Sequence, residues 1–331
     1  MFSYGTLAGF GFVAWSFFFA GERVRESDGQ VVPGHLDAAA YGPLILTVCA
    51  IVLIAIWSSA AGTWRYIPNL SKAPSGLQRM SPITFLKAIG ETLKNRNYRF
   101  LVIGYFFFML TSGIYDTLEV FMFTYFWELQ PEQIRWLKLI SVPSAMTGAI
   151  LSPILMRKYD RKPVMMTAYV AVVIFSQLMV DLRLLGFMFE NGDPALLPIL
   201  LMNGAGFSFS LGVAAVVILS MIGDVIDDNE LQTGERQEGL FYSARAFFAK
   251  ASSSFGIFFA GVVLDLYVRM PFEAMPGQLD SDILFRLGII AGPVMALSAV
   301  ISLFIYNKYN LSRERHQEIT RLLQQRMQSG D

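Results

Sequence analysis

Eight long apolar runs constrain this chain more than any other feature. They cover residues 6–20, 41–61, 100–126, 137–155, 164–180, 196–222, 240–266 and 283–306. Most reach the roughly 17–25 residues that a helix needs to cross a hydrocarbon core. No water is available there for backbone N–H and C=O groups, so each run must satisfy itself as an α-helix. The fold class that follows is all-α: a polytopic helix bundle in a lipid bilayer, with about eight transmembrane helices. The first run opens almost at Met1 with neither a basic n-region nor a small-residue cleavage site, so it is not read as a signal peptide.

The remaining composition narrows the function classes. Formal net charge is zero, which points to neither nucleic acid nor an acidic partner. The single cysteine, Cys49, excludes an internal disulfide framework. With His35 and His316 the only histidines, a structural zinc site is not expected. No nucleophile–base pair, metal cluster or phosphate loop stands out, so an enzyme is the weakest reading.

Lysine and arginine decide the expected orientation. The linker over 62–99 carries Arg65, Lys72, Arg79, Lys87, Lys94, Arg96 and Arg99 against Glu91 alone. The turn at 156–163 holds Arg157, Lys158, Arg161 and Lys162, and the tail adds Lys308, Arg313, Arg315, Arg321 and Arg326. These segments, together with an acidic loop over 224–238, are placed on the cytoplasmic side of the cell membrane. Four units result: two helices in 1–61, the linker in 62–99, a six-helix unit in 100–306 and a cytoplasmic tail in 307–331. The stretch 69–78, with Gly, Ser and Pro, marks the clearest boundary.

Within the linker, Ser81-Pro82 predicts a helix start, a capping hydroxyl followed by proline at the first helical position. Ile83, Leu86, Ile89 and Leu93 then share one face. That helix either lies on the membrane interface or packs on the bundle as a connector. Ile319, Leu322, Leu323 and Met327 predict a further surface helix in the tail.

Charges inside apolar runs are expensive and mark candidate sites. Lys250 falls about 16 Å along its helix from Gly239. It shares a broad face with Ser243, Ser253 and Ser254, while Tyr242 and Arg245 lie on a neighbouring stripe. It binds substrate, or it holds a buried ion pair that only fixes packing. Asp116 and Glu119 interrupt another run three residues apart. They balance Lys250, bind a cation or carry a proton, or else they sit at the membrane edge among headgroups. Asn203, Gly204, Gly206, Ser208, Ser210 and Gly212 read more as packing than as ligand contacts. The 224–238 loop either gates, by pairing with the 157–162 turn, or is simply solvated.

A resemblance follows from these residues. MIGDVIDDNE beginning at Met221, GERQEGLFYS beginning at Gly234, and Lys250 beyond them resemble the helix 10–11 signature of the glycoside–pentoside–hexuronide:cation symporters. That is the melibiose-permease-like branch of the major facilitator superfamily. Asn95-Arg-Asn-Tyr-Arg-Phe, Thr124-Tyr-Phe-Trp-Glu-Leu and Arg157-Lys-Tyr-Asp-Arg-Lys-Pro resemble the same branch. The resemblance implies cation-coupled symport, with Na⁺ or H⁺ as coupling ion, no other cofactor, and a sugar or related small solute as cargo. It also implies gating roles for Asp224, Asp227, Glu230, Arg236 and Glu238 opposite Arg157 and Arg161. Tyr242 falls on the motif as well, and Lys250 is placed near the sugar and cation sites.

The family has twelve helices in two halves. Two runs before the linker and six after it correspond to helices 5–12, so this chain by itself is not expected to drive coupled uptake. No Trp occurs in 196–222, where melibiose-type members stack one on the sugar, so a galactoside is not supported. The branch also includes lipid carriers, and a non-transporting scaffold or degenerate fragment is the rival from another class.

Overall fold

The computed structural model describes residues 9–25, 29–69, 81–272 and 274–329. Among these, seven helical stretches are long and apolar enough to cross a membrane: Ala38–Trp64, Arg96–Phe126, Pro131–Lys158, Arg161–Leu184, Leu196–Thr233, Glu238–Val268 and Ser281–Tyr306. The first run contributes a shorter apolar helix, α1 (Gly9–Phe18), and residues 6–8 of that run lie outside the described residues. The other helices are α2 (Tyr41–Trp64), α3 (Pro82–Thr92), α4 (Arg96–Phe121), α5 (Pro131–Lys158), α6 (Arg161–Leu184) and α7 (Leu196–Thr233). They are followed by α8 (Glu238–Val263), α9 (Ser281–Ile289), α10 (Met295–Tyr306) and α11 (Arg313–Ser329).

Two helix crossings hold the six-helix unit together. A Cβ placed on Gly148 of α5 would stand 2.1 Å from the Phe209 carbonyl, and one on Gly212 of α7 would stand 2.1 Å from the Ala145 carbonyl. The same reciprocity joins α4 to α8, where Gly113 faces the Ser253 carbonyl and Gly256 faces the Leu110 carbonyl, each at 2.4 Å from the missing Cβ. In lipid, where apolar surface alone drives little association, such close backbone approach supplies the packing. Above and below the crossings lie two cores. One surrounds Tyr98, Tyr169, Tyr306 and Phe241, and the other surrounds Ile134, Val268 and Leu287.

Two segments differ from the sequence expectation. The acidic stretch is not a loop up to residue 238, because α7 continues through Asp224, Asp227 and Glu230 to Thr233. Its carboxylates have cationic partners, which lets the helix outrun its apolar part. It stops at Gly234, whose φ of 78° is the left-handed cap that glycine adopts without strain. The run 283–306 is not one regular helix either. A π turn, Ile290–Val294, joins α9 to α10 around Gly292 (φ −98°, ψ −110°) and Pro293, which has no N–H to donate.

α3 starts as predicted, with Ser81 Oγ accepting from the Thr84 N–H at 3.1 Å. It packs on the bundle through Phe85, Ile89 and Leu93, whereas Ile83 and Leu86 of the expected stripe are exposed. Part of the proposed boundary, residues 70–78, lies outside the described residues. α11 rests on α7 with Ile319 and Leu323 buried and Leu322 exposed, and the Met327 side chain is not described.

The linker helix, the 157–162 turn and α11 gather at one end of the bundle, the basic end. At the other, a hairpin of β1 (Glu22–Val24) and β2 (Val31–Pro33) connects α1 to α2. It is moored to the six-helix unit by two bonds. The Gly21 N–H donates to Glu132 Oε1 at 2.7 Å, and His35 Nε2 lies 2.8 Å from Thr124 Oγ1. His35 is 2% exposed, and burial pulls its pKa from 6.5 down to about 4.

Candidate functional site

The basic end carries a continuous charged network. Arg161, the first residue of α6, reaches across to α7 and meets Asp224 at 3.0 Å, while its Nε donates to Ser220 Oγ at 2.8 Å. Asp224 is 4% exposed, so this pair is largely removed from water. One turn on, His316 of α11 stands between two acids, with Nε2 3.4 Å from Asp224 Oδ1 and 3.1 Å from Asp227 Oδ2. Asp227 passes the chain of contacts to Arg236, 3.1 Å away, which also binds Glu230 at 2.7 Å and Glu238 at 3.4 Å. Asp224, Asp227, Glu230, Arg236, Glu238 and Arg161 are therefore brought together. A buried pair of this kind loses several kcal/mol when one partner is removed, because the survivor is left unpaired.

Arg157 is not part of the network through its side chain; its carbonyl instead accepts from Arg313 at 3.1 Å. Arg313 also donates to the Tyr159 carbonyl at 2.6 Å and to the Met156 carbonyl. A guanidinium on the last carbonyls of α5 satisfies groups that the helix itself cannot. His316 and Arg313 were not singled out from sequence. They lie in a tail of ordinary surface composition, and only the docking of α11 on α7 brings them to the acids and to α5.

Lys250 stands midway along α8, exposed in a groove with Phe85, Ser243, Ala246, Phe247 and Ser254. Among the described residues it forms no ion pair, and neither Asp116 nor Glu119 balances it. Glu119 pairs instead with Lys138 of α5, and Asp116 is exposed one turn away on α4. The spacing of the acids on α4 gives no hint of Lys138, which lies across the turn on α5. Arg245 Nη1 donates to Tyr105 Oη at 3.0 Å, and Tyr242 is half-buried beside it on α8.

The MFS/sugar transport protein family matches residues 1–313. An uncharacterized symporter of Synechocystis sp. is 27% identical over 291 residues, 85% of this chain and 51% of the relative. The raffinose carrier protein of Pediococcus pentosaceus is 24% identical over 278 residues, 83% of this chain and 40% of the relative. The lactose permease of Lactobacillus delbrueckii subsp. bulgaricus is 25% identical over 251 residues, 74% of this chain and 37% of the relative. The chain thus spans about half, or less, of the length of these relatives. With the family covering nearly every residue, the chain belongs to the major facilitator superfamily, in its MFS/sugar transport protein family.

Proposed function

We propose that this chain serves cation-coupled secondary transport of a sugar or related small solute across the cytoplasmic membrane. The observation that carries the reading is Lys250, a cation about halfway along a span, without an ion-pair partner among the described residues, on a face lined with serines. Intramembrane ionisable groups of this kind mark substrate or ion paths. Family membership and the sugars named in two relatives support a sugar as cargo. The coupling ion is Na⁺ or H⁺. The lysine and arginine asymmetry supports a cytoplasmic basic end, including the C-terminus. In this reading the Arg161–Asp224–His316–Asp227–Arg236 network is the cytoplasmic gate. It ties α6, α7, α8 and α11 together at the basic end of the six-helix unit, and its making and breaking would set how open that end is.

The test is uptake of a panel of labelled sugars by vesicles under an imposed Na⁺ or proton gradient, with the protein expressed from the full reading frame. Gradient-dependent uptake that Lys250→Ala abolishes at unchanged membrane abundance is the expected result. Uptake at the parental rate in that variant would reduce Lys250 to a structural residue.

A further inference from the structure

Inside the six-helix unit, toward the hairpin end, α4, α5, α6, α7 and the π turn enclose a cavity of about 120 Å³. It is separate from the Lys250 groove and from the charged network. Asn203 of α7 defines its chemistry. The Asn203 Nδ2 donates to the Phe175 carbonyl at 2.8 Å, and turning the amide over would set two acceptors against each other. The amide oxygen is therefore fixed as the free end, buried and without a donor. An orphaned buried acceptor is costly until something donates to it.

The rest of the polar lining is mixed: Ser208, Tyr115 and Trp127 bring O–H and N–H donors, while two serines have spent their protons. The Ser141 hydroxyl donates to the Leu137 carbonyl at 2.7 Å, and that of Ser176 donates to the Val173 carbonyl at 2.9 Å. The Ser141 oxygen is left as an acceptor, while that of Ser176 already accepts from Gln177 Nε2 at 3.3 Å. Glu119 lies on the same wall, its charge already balanced by Lys138. One helical turn from Glu119 on α4 and from Asn203 on α7 lie the stacked rings of Tyr115 and Phe207, centroids 4.9 Å apart. A charge-balanced lining with both acceptors and donors beside aromatic rings suits a neutral molecule with several hydroxyl groups and a C–H face. The space holds several waters and so has room for a small polyol or one edge of a sugar ring.

We infer that this cavity is a binding subsite for a neutral polyhydroxylated solute, with Asn203 Oδ1 as its principal acceptor. The inference rests on the transport reading above and gives its solute a place inside one bundle. A net cation is disfavoured because Lys138 already neutralises the carboxylate, and an anion is disfavoured by the acceptors.

The experiment places a reporter thiol in the wall, Ser176→Cys in a Cys49→Ser background, and follows its alkylation by N-ethylmaleimide in membranes. Glycerol, a pentitol, hexoses and NaCl are the added probes, and sugar uptake is measured in the same membranes. Protection by polyol or sugar is expected, with Asn203→Leu raising the half-protecting concentration about tenfold, equivalent to ~1.4 kcal/mol. Ser141→Val, which leaves the Asn203 tie to α6 in place, should raise it severalfold and guards against misfolding of the first variant. Protection with no uptake would uphold the subsite and sink the transport reading. Uptake with no protection by any hydroxylated probe would overturn the subsite alone. Protection by NaCl without polyol would overturn it in favour of a cation.

Discussion

α2 and α7 are both apolar enough to span a membrane, yet their surroundings are opposite. None of the apolar stretch of α2 is buried, whereas 61% of that of α7 is inside the structure. Side chains such as Leu46, Leu53, Ile54 and Trp57 of α2 face outward, while Val217, Met221 and Val225 of α7 are sealed. Both helices carry small residues, and the difference is whether another helix approaches them. α7 offers Gly212, with a carbonyl of α5 against it, and Ser208 and Ser210 are buried nearby. The glycines of α2, Gly42 and Gly62, have nothing within 4 Å of a Cβ. Hydrocarbon is as good a neighbour to leucine as another leucine is, so hydropathy selects the solvent but not the partner.

Substitutions on the two helices test this contrast, beginning with the largest effect. Gly212→Leu should cost about 3 kcal/mol or more, because its Cβ would lie 2.1 Å from the Ala145 carbonyl and neither backbone can yield cheaply. Thermal unfolding of the purified protein in detergent would show it; an unchanged midpoint would mean that α5 and α7 do not cross there. Asp224→Ala comes next, at about 2–3 kcal/mol, since it strands Arg161 and His316 in a partly buried setting. Asp224→Asn should recover part of that loss, and equal melting of both variants would argue against the ion pair.

The hairpin mooring should respond to pH. The pKa of His35 is depressed from 6.5 to about 4 by burial, so the docked form requires the neutral ring. Its contribution is complete above pH 6.5 and fades as the pH falls toward 4, with a loss of about 1.5–2 kcal/mol by roughly pH 5. Hydrogen exchange of β1 and β2 across that range is the measurement, and His35→Gln should flatten the profile. Gly62→Leu on α2 closes the series, with an expected change within about 0.5 kcal/mol. A large loss there would reveal a neighbour for α2 and dissolve the contrast with α7.

Much of this molecule was legible beforehand. Period and length gave the spans, Ser81-Pro82 gave the start of α3, and the acids after Met221 gave one side of the network. What escaped was mostly set by contacts distant in sequence. Nothing local to Glu119 names Lys138, and nothing in the tail marks His316 as the residue between Asp224 and Asp227. The helical course of 224–233 was hidden for a related reason. A run of carboxylates reads as solvated coil until Arg161, Arg236 and His316 are seen to neutralise it. The reverse error affected α3, where Ile83 and Leu86 shared a face with Ile89 but the bundle took Phe85 instead.

Arg313 and His316 sit one turn apart on α11, the first on the end of α5 and the second on the acids of α7. Both follow every span in the order of synthesis. While α5 to α10 are being inserted, the α5 terminus and the Asp224–Asp227 pair therefore wait without these partners. Closure of the basic end belongs to the moment when the tail leaves the ribosome. A chain stalled before residue 313 would keep the Arg161–Asp224 and Arg236–Asp227 pairs but lack the two contacts through which α11 clasps the end of α5 to α7.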